Sequence, residues 1–130
     1  MILVDTHVVV WLAFHQDRLS TKARQTIEDA RKNQAGLAIS DISLLELATL
    51  ASKGRLHLDI SFESFLQQVE SRFAVLPISS SACARTIHLP AAYPKDPADR
   101  IIGATALVEG LTLLTADREI RRSKAVQTIW

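Results

Sequence analysis

A chain of 130 residues with 48% hydrophobic and 22% charged side chains has material for one buried core and lies far from the composition of disordered segments. Its 15 Lys and Arg against 14 Asp and Glu leave a formal charge of +1, which excludes a whole-molecule field as the means of attracting nucleic acid or membrane. The single Cys83 excludes an internal disulfide and a thiolate zinc site, and no apolar run reaches the roughly 18 residues of a membrane span. One domain over residues 1–130 is expected, with no membrane association. A cytoplasmic, reducing setting suits the lone thiol, and the opening Met-Ile-Leu-Val-Asp lacks the basic start of a secretion signal.

Residues 2–4 read as a short buried strand ending on Asp5, and the almost continuous apolar run 8–14 as a buried helix. Ser20 is placed to cap a second helix reaching about Gln34, with Ala23, Ile27 and Ala30 at helical spacing and Gly36 ending it. Residues 37–39 form the second strand. Ser40 and Asp41 then turn into a helix through Leu44, Leu47, Ala48 and Ala51, closed by Lys53 and Gly54. An amphipathic helix follows over 61–72 with Phe62, Phe65, Leu66 and Val69 on one face, then a strand over 73–76 stopped by Pro77.

Residues 79–88 are a short helical piece halted near Pro90. The plainest helix has Asp96 as cap, Pro97 at its first position, Ile101, Ile102, Ala104, Ala106, Leu107 and Val108 inside, and Gly110 beyond its end. A strand over 111–114, a helical turn over 117–122 and a final strand over 126–129 complete the chain. Strands separated by helices are too far apart for hairpins, so the fold class is α/β: a three-layer α/β/α arrangement around a mostly parallel sheet. In such sheets ligands lie beyond the carboxyl ends of the strands, where Asp5 and Asp117 fall.

Glu46, soon after the second strand, and Asp99, opening the plainest helix, can join Asp5 and Asp117 at that edge. Each acid also has a structural explanation. Asp5, Asp96 and Asp117 are placed as helix caps, Glu46 completes a Ser-x-x-Glu capping box with Ser43, and Asp99 suits the helix dipole. Four carboxylates in one cleft, however, raise one another's pKa until a cation neutralises them. Oxygen ligands without clustered Cys or His select Mg²⁺ or Mn²⁺, and such ions activate water for attack on phosphodiesters. Removing Asp5 would then relieve repulsion and leave the fold intact or more stable.

The segments Val4-Asp5-Thr6-His7 with Trp11-Leu12, Ile39-Ser40-Asp41-Ile42-Ser43-Leu44-Leu45-Glu46-Leu47, Lys53-Gly54-Arg55-Leu56, Asp96-Pro97-Ala98-Asp99-Arg100-Ile101-Ile102-Gly103-Ala104-Thr105-Ala106 and Leu114-Thr115-Ala116-Asp117 carry a likeness that spans the chain. They resemble the PIN-domain nucleases, in particular the VapC toxins of bacterial toxin–antitoxin pairs. The resemblance implies that Asp5, Glu46, Asp99 and Asp117 are the catalytic acidic quartet that binds Mg²⁺ or Mn²⁺. It implies Thr6 and Thr115 as supporting hydroxyls, with Asp96 as a helix cap or outer support. It further implies an RNA substrate, a cognate antitoxin and a homodimer; large apolar side chains on the helices around 44–51 and 62–69, which a domain this small cannot wholly bury, mark the groove between them as the antitoxin's expected seat. Many relatives have an aromatic residue where this chain has Leu45.

Other residues carry less. Of the four histidines only His7, near Asp5, is placed to line the cleft, and none is assigned a role. Cys83 is expected to pack as a small apolar residue and Gly103 to permit close helix packing. Arg118, Arg121, Arg122 and Lys124 could hold phosphates near the acids, as could Lys53, Arg55 and Arg100, against the ordinary reading of a solvated face. Two alternatives to a ribonuclease stay open at this point: a non-catalytic receiver-like signalling module, and a phosphohydrolase of small esters.

Overall fold

The computed structural model describes residues 1–130. Five strands, β1 (Ile2–Val4), β2 (Leu37–Ser40), β3 (Ala74–Leu76), β4 (Thr112–Leu114) and β5 (Thr128–Ile129), form one sheet in the order β3-β2-β1-β4-β5. Every neighbouring pair is parallel. The helices are α1 (Thr6–Phe14), α2 (Thr21–Lys32), α3 (Asp41–Ser52), α4 (Phe62–Arg72), α5 (Ser80–Thr86), α6 (Pro97–Glu109) and α7 (Arg118–Ser123), with a 3₁₀ turn over Gln16–Arg18.

Successive strand side chains point to opposite faces, and in this sheet both faces are buried. Val4, Ile39 and Leu114 pack with Val8, Ile27, Leu47 and Phe65 of α1 to α4, whereas Leu3, Ala38 and Leu113 pack with Ile102 and Ala106 of α6 and Ile120 of α7. This is the expected three-layer α/β/α architecture. The chain adds β2 and β3 on one side of β1 and then crosses to add β4 and β5 on the other. The order therefore reverses between β1 and β4, which is where the carboxyl ends of an open parallel sheet leave a crevice.

Local chemistry explains most element ends. Ser20, Ser61, Ser79 and Asp96 each accept a backbone N–H from the first turn of the helix they precede, and Gly110 closes α6 with φ 66°. Several expectations need adjustment. α1 begins at Thr6 rather than Val8, because Asp5 caps it directly. α2 stops at Lys32, before Gln34; Asn33 caps it, and the turn uses left-handed Gln34 (φ 56°) as well as Gly36 (φ 86°). The last strand shrinks to Thr128–Ile129, where β4 offers it a partner register.

Cys83 is exposed, contrary to the expectation of packing, since a seven-residue helix turns one side inward and Ala82 occupies it. Gly103 does permit close packing. A Cβ at that position would overlap the hydroxyl and ring of Tyr93, a fully buried side chain.

Candidate active site

Asp5 leaves β1 at the point of strand reversal and is 3% exposed. One carboxylate oxygen accepts the Thr6 N–H at 2.8 Å, and the other accepts the Thr115 hydroxyl at 2.7 Å. Thr115 in turn accepts the backbone N–H of Asp117 at 3.1 Å, so one hydroxyl ties the ends of β1 and β4 together. His7 completes the frame. Its Nε2 accepts the Ala116 N–H at 3.1 Å, which leaves the ring proton on Nδ1, 3.4 Å from Asp5 Oδ2. Trp11 packs edge-on against His7 at 5.0 Å.

Glu46 is not part of a capping box. Ser40, three residues before Ser43, caps α3 by accepting the Ile42 N–H, so Ser43 and Glu46 are both inside the helix. One turn apart, they share a face that meets the start of α1. Thr6 Oγ1 lies 2.5 Å from Glu46 Oε1 and 2.8 Å from Ser43 Oγ. With a single proton, the Thr6 hydroxyl donates to the carboxylate and receives from Ser43.

Asp96 caps α6 by accepting the Asp99 N–H at 3.1 Å, with Pro97 following as expected. The Tyr93 hydroxyl donates to the Asp99 carbonyl at 2.7 Å, fixing the same turn from the core side. Arg100 donates to the carbonyls of Thr86 (2.7 Å) and Pro94 (3.4 Å), which occupies it with holding the loop rather than a phosphate. Asp117 caps α7 by accepting the Ile120 N–H at 3.0 Å.

Asp5, Glu46, Asp96 and Asp99 line one concavity of about 510 Å³ together with Thr6 and His7, and Leu45 forms an exposed part of its wall. Asp117 lies just outside that lining. No Lys or Arg reaches it; Arg118, Arg121, Arg122 and Lys124 line a separate concavity, and Arg55 lies by Phe14 and Leu56. Burial first, then the charges of Asp5, Asp96, Asp117 and Glu46, push the Asp99 carboxyl up to about 7. Glu46 is also raised: burial outweighs the lowering hydrogen bond from Thr6, and Asp5 and Asp96 add to it. Tyr93 is held above its ordinary value by burial and then by the charges of Asp5, Asp99 and Asp117.

This donor set of hard carboxylate oxygens, crowded and without a protein cation, fits a hard divalent ion. The side chains do not form a ready-made three-ligand cage. A bound cation would relieve the raised Glu46 and Asp99 carboxyls.

Two predictions arise here. Because the folded Asp99 carboxyl titrates near 7 and an unfolded one near the ordinary 3.8, its contribution to stability is intact below about 4 and is lost as pH rises to 7. The metal-free melting temperature should fall over that interval, and Asp99→Asn should flatten the fall. Solvent still reaches this half-buried carboxyl, so the effect is held to about 1 kcal/mol, or several degrees. Second, Asp96→Ala should destabilise the fold by about 1 kcal/mol through the lost cap and reduce activity only a few-fold. Denaturant titration beside an activity assay checks it; inactivity with unchanged stability would make Asp96 a direct ligand.

Fold and site together define a parallel-sheet α/β protein whose acidic concavity lies at the strand-order reversal. The chain belongs to the PIN domain family, whose model matches residues 2–125. It is 40% identical to Ribonuclease VapC22 of Mycobacterium tuberculosis over 131 residues, covering 99% of this chain and 98% of that protein. Among solved structures it resembles VapBC2 from Rickettsia felis bound to a promoter DNA fragment, with a TM-score of 0.76 and 22% identity. It also resembles DNA-bound VapBC from Salmonella typhimurium, with a TM-score of 0.69 and 26% identity; each match covers 99% of this chain and 98% of the other. Family membership replaces the receiver-like alternative.

Ser43 and Tyr93 join the site beyond the residues expected from sequence, and His7, assigned no role there, braces it. The signal for Ser43 is its position one turn before Glu46. Nothing local marks Tyr93, the only tyrosine, because its contact runs through the fold.

Proposed function

We propose that residues 1–130 act as one PIN-like endoribonuclease domain that hydrolyses RNA phosphodiester bonds, in the manner that the name of its ribonuclease relative describes. Asp5, Glu46, Asp99 and Asp117 are the catalytic residues and hold Mg²⁺ or Mn²⁺; Thr6, Thr115 and Asp96 support them. The observation that carries this reading is a concavity lined by Asp5, Glu46, Asp96 and Asp99 and by no Lys or Arg, in which Glu46 and Asp99 are both raised; Asp117, outside the lining, joins through its charge on Asp99 and its tie to Asp5 by Thr115. When bound, the ion supplies neutralising charge, activation of water near neutral pH and stabilisation of the leaving oxygen.

The chain's own groups prepare that site. Thr115 and the Thr6 N–H fix both oxygens of Asp5, so this carboxylate is oriented before anything binds. Glu46 is steered through the Thr6 hydroxyl, and Asp99 is placed by the Asp96 cap and by Tyr93. Leu45 offers the substrate an aliphatic wall rather than an aromatic one.

The biological setting we propose is a VapBC-type toxin–antitoxin pair in the cytoplasm, with a homodimeric toxin. The antitoxin would cover the surface between α3 and α4, where Leu44, Phe62 and Leu66 are only partly buried. A basic antitoxin side chain at the acidic cluster would compete with the divalent ion.

Incubating the purified chain with RNA, with and without Mn²⁺ or a chelator, beside a simple phosphate monoester tests the reading. Metal-dependent RNA cleavage with the monoester untouched is expected. Turnover of the monoester alone would favour a small-ester phosphohydrolase. Co-purification with the product of the neighbouring gene tests the antitoxin, and raised Mg²⁺ should weaken that complex. Absence of any complex, with undiminished growth of cells expressing this chain alone, would sink the toxin assignment.

A further inference from the structure

The basic residues that follow Asp117 do not join the acidic concavity, and they make a surface of their own. Arg118, Arg121 and Arg122 recur at i, i+3 and i+4, which brings them to one face of α7, while Ile120 turns inward to the core. With Lys124 they line a second concavity of about 420 Å³ that contains no acid and no hydrophobic side chain. All four are exposed, and none forms an ion pair; Glu119 on the same helix is exposed but lies outside the lining. In a chain of net charge +1, this is a local concentration of unneutralised positive charge.

Lys124 adds a second observation. It caps α7 with φ 55° and ψ 18°, the left-handed region that favours glycine, and only Gln34 among the other non-glycine residues shares a positive φ. The cap places its ammonium at the carboxyl end of α7, in the same lining as the three guanidinium groups.

We propose that this concavity is a track for the phosphate backbone of single-stranded RNA, delivering the strand to the acidic site; the inference rests on the ribonuclease reading above. Three guanidinium groups give the bidentate geometry that phosphate oxygens accept. With no aromatic or apolar lining for bases to stack on, recognition is of the backbone and independent of sequence. Its distance suits the role. Asp117 caps the amino end of α7, and six residues at about 1.5 Å each put the far end of the track about 9 Å away.

The test measures binding of a labelled mixed-sequence RNA of about 20 nucleotides to the whole chain across a salt series, with chelator present so that the strand stays intact. Arg118→Gln/Arg121→Gln/Arg122→Gln should weaken binding about tenfold near 0.1 M salt and make the log–log salt slope shallower by roughly 2, at about 0.7 for each phosphate that is no longer neutralised. Lys124→Gly should also bind RNA more weakly while melting at a higher temperature, which a purely structural lysine would not do. A folded triple variant with the wild-type slope and affinity would overturn the track. So would unchanged RNA binding with a weakened antitoxin complex, which would reassign the surface to an acidic protein. Cleavage of the same RNA by the wild-type chain with Mn²⁺ is the separate control: if it occurs, a failed slope test rejects the track alone, and if it does not, the ribonuclease reading itself fails.

Discussion

Asp5→Asn is expected to lower the rate of metal-dependent RNA cleavage by about 10²–10³-fold, the scale seen when one preorganised polar group is lost from a reacting centre. The substitution removes the charge and keeps the shape. An amide oxygen can still accept the Thr6 N–H that caps α1, but the amide NH2 cannot accept the Thr115 hydroxyl, so the melting temperature of the metal-free protein should fall, by less than in Asp5→Ala. Asp5→Ala should be as inactive and also less stable. It takes away a cap worth about 1 kcal/mol and leaves the buried Thr115 hydroxyl without its acceptor, a further cost of about 1–3 kcal/mol. These two hydrogen bonds argue against the expectation from sequence that removing this acid leaves the fold intact or more stable. Relief of repulsion is real, but the carboxylate is also a hub joining α1 to β4. Cleavage rates beside thermal melts of both variants decide it, and an Asp5→Asn protein within a few-fold of wild type would remove Asp5 from the catalytic set.

Gly103→Ala is expected to destabilise the protein by about 3 kcal/mol, roughly 10 °C in melting temperature, through overpacking. The added methyl group would overlap Tyr93, which is 1% exposed and enclosed by Leu89 and Ile102 in the core beneath α6, so the ring has nowhere to move. The damage should extend to the site. Tyr93 holds the Asp99 carbonyl, and displacing it disturbs the turn that presents the Asp99 carboxyl. Thermal melting with and without Mn²⁺ should show both a lower base temperature and a smaller rise on adding the ion. In the double variant with Tyr93→Ala, the total loss should be smaller than the sum of the two separate losses, because removing the ring clears the space that the added methyl group needs. Strict additivity would show that the two positions do not compete for space.

Elements and their starts are legible from sequence because their causes are local. Asp96 followed by Pro97, Ser61 ahead of an amphipathic stretch, and Gly110 after α6 act on backbone groups three or four residues away, and the structure uses each as expected. The parallel sheet follows from the spacing of apolar runs for the same reason. Where local signals compete, neighbours in the chain cannot arbitrate. Ser43 and Glu46 satisfy the capping-box pattern, yet Ser40 takes the cap, and Glu46 turns toward Thr6 on a helix 40 residues away. Cys83 and Ala82 are both apolar enough to pack, and only the seat of α5 on α6 decides that Ala82 goes in. Sequence leaves Arg100 open between a solvated face and a phosphate ligand, and only the fold brings it to the Thr86 carbonyl, 14 residues back.

The gathering of the acids belongs to tertiary structure as well. Asp5 and Thr115 are 110 positions apart and meet because β4 pairs with β1 and not with β3, an order that depends on which faces of the flanking helices bury together. That choice also lifts the carboxyl of Asp99, since burial first and then the nearness of the other acids, not spacing along the chain, disfavour its charge. Local patterning dictates which carboxylates follow strands and open helices. Their convergence, the tie between Asp5 and Asp117 through one threonine, and the separation of the arginines onto their own surface come from long-range packing, which no local propensity encodes.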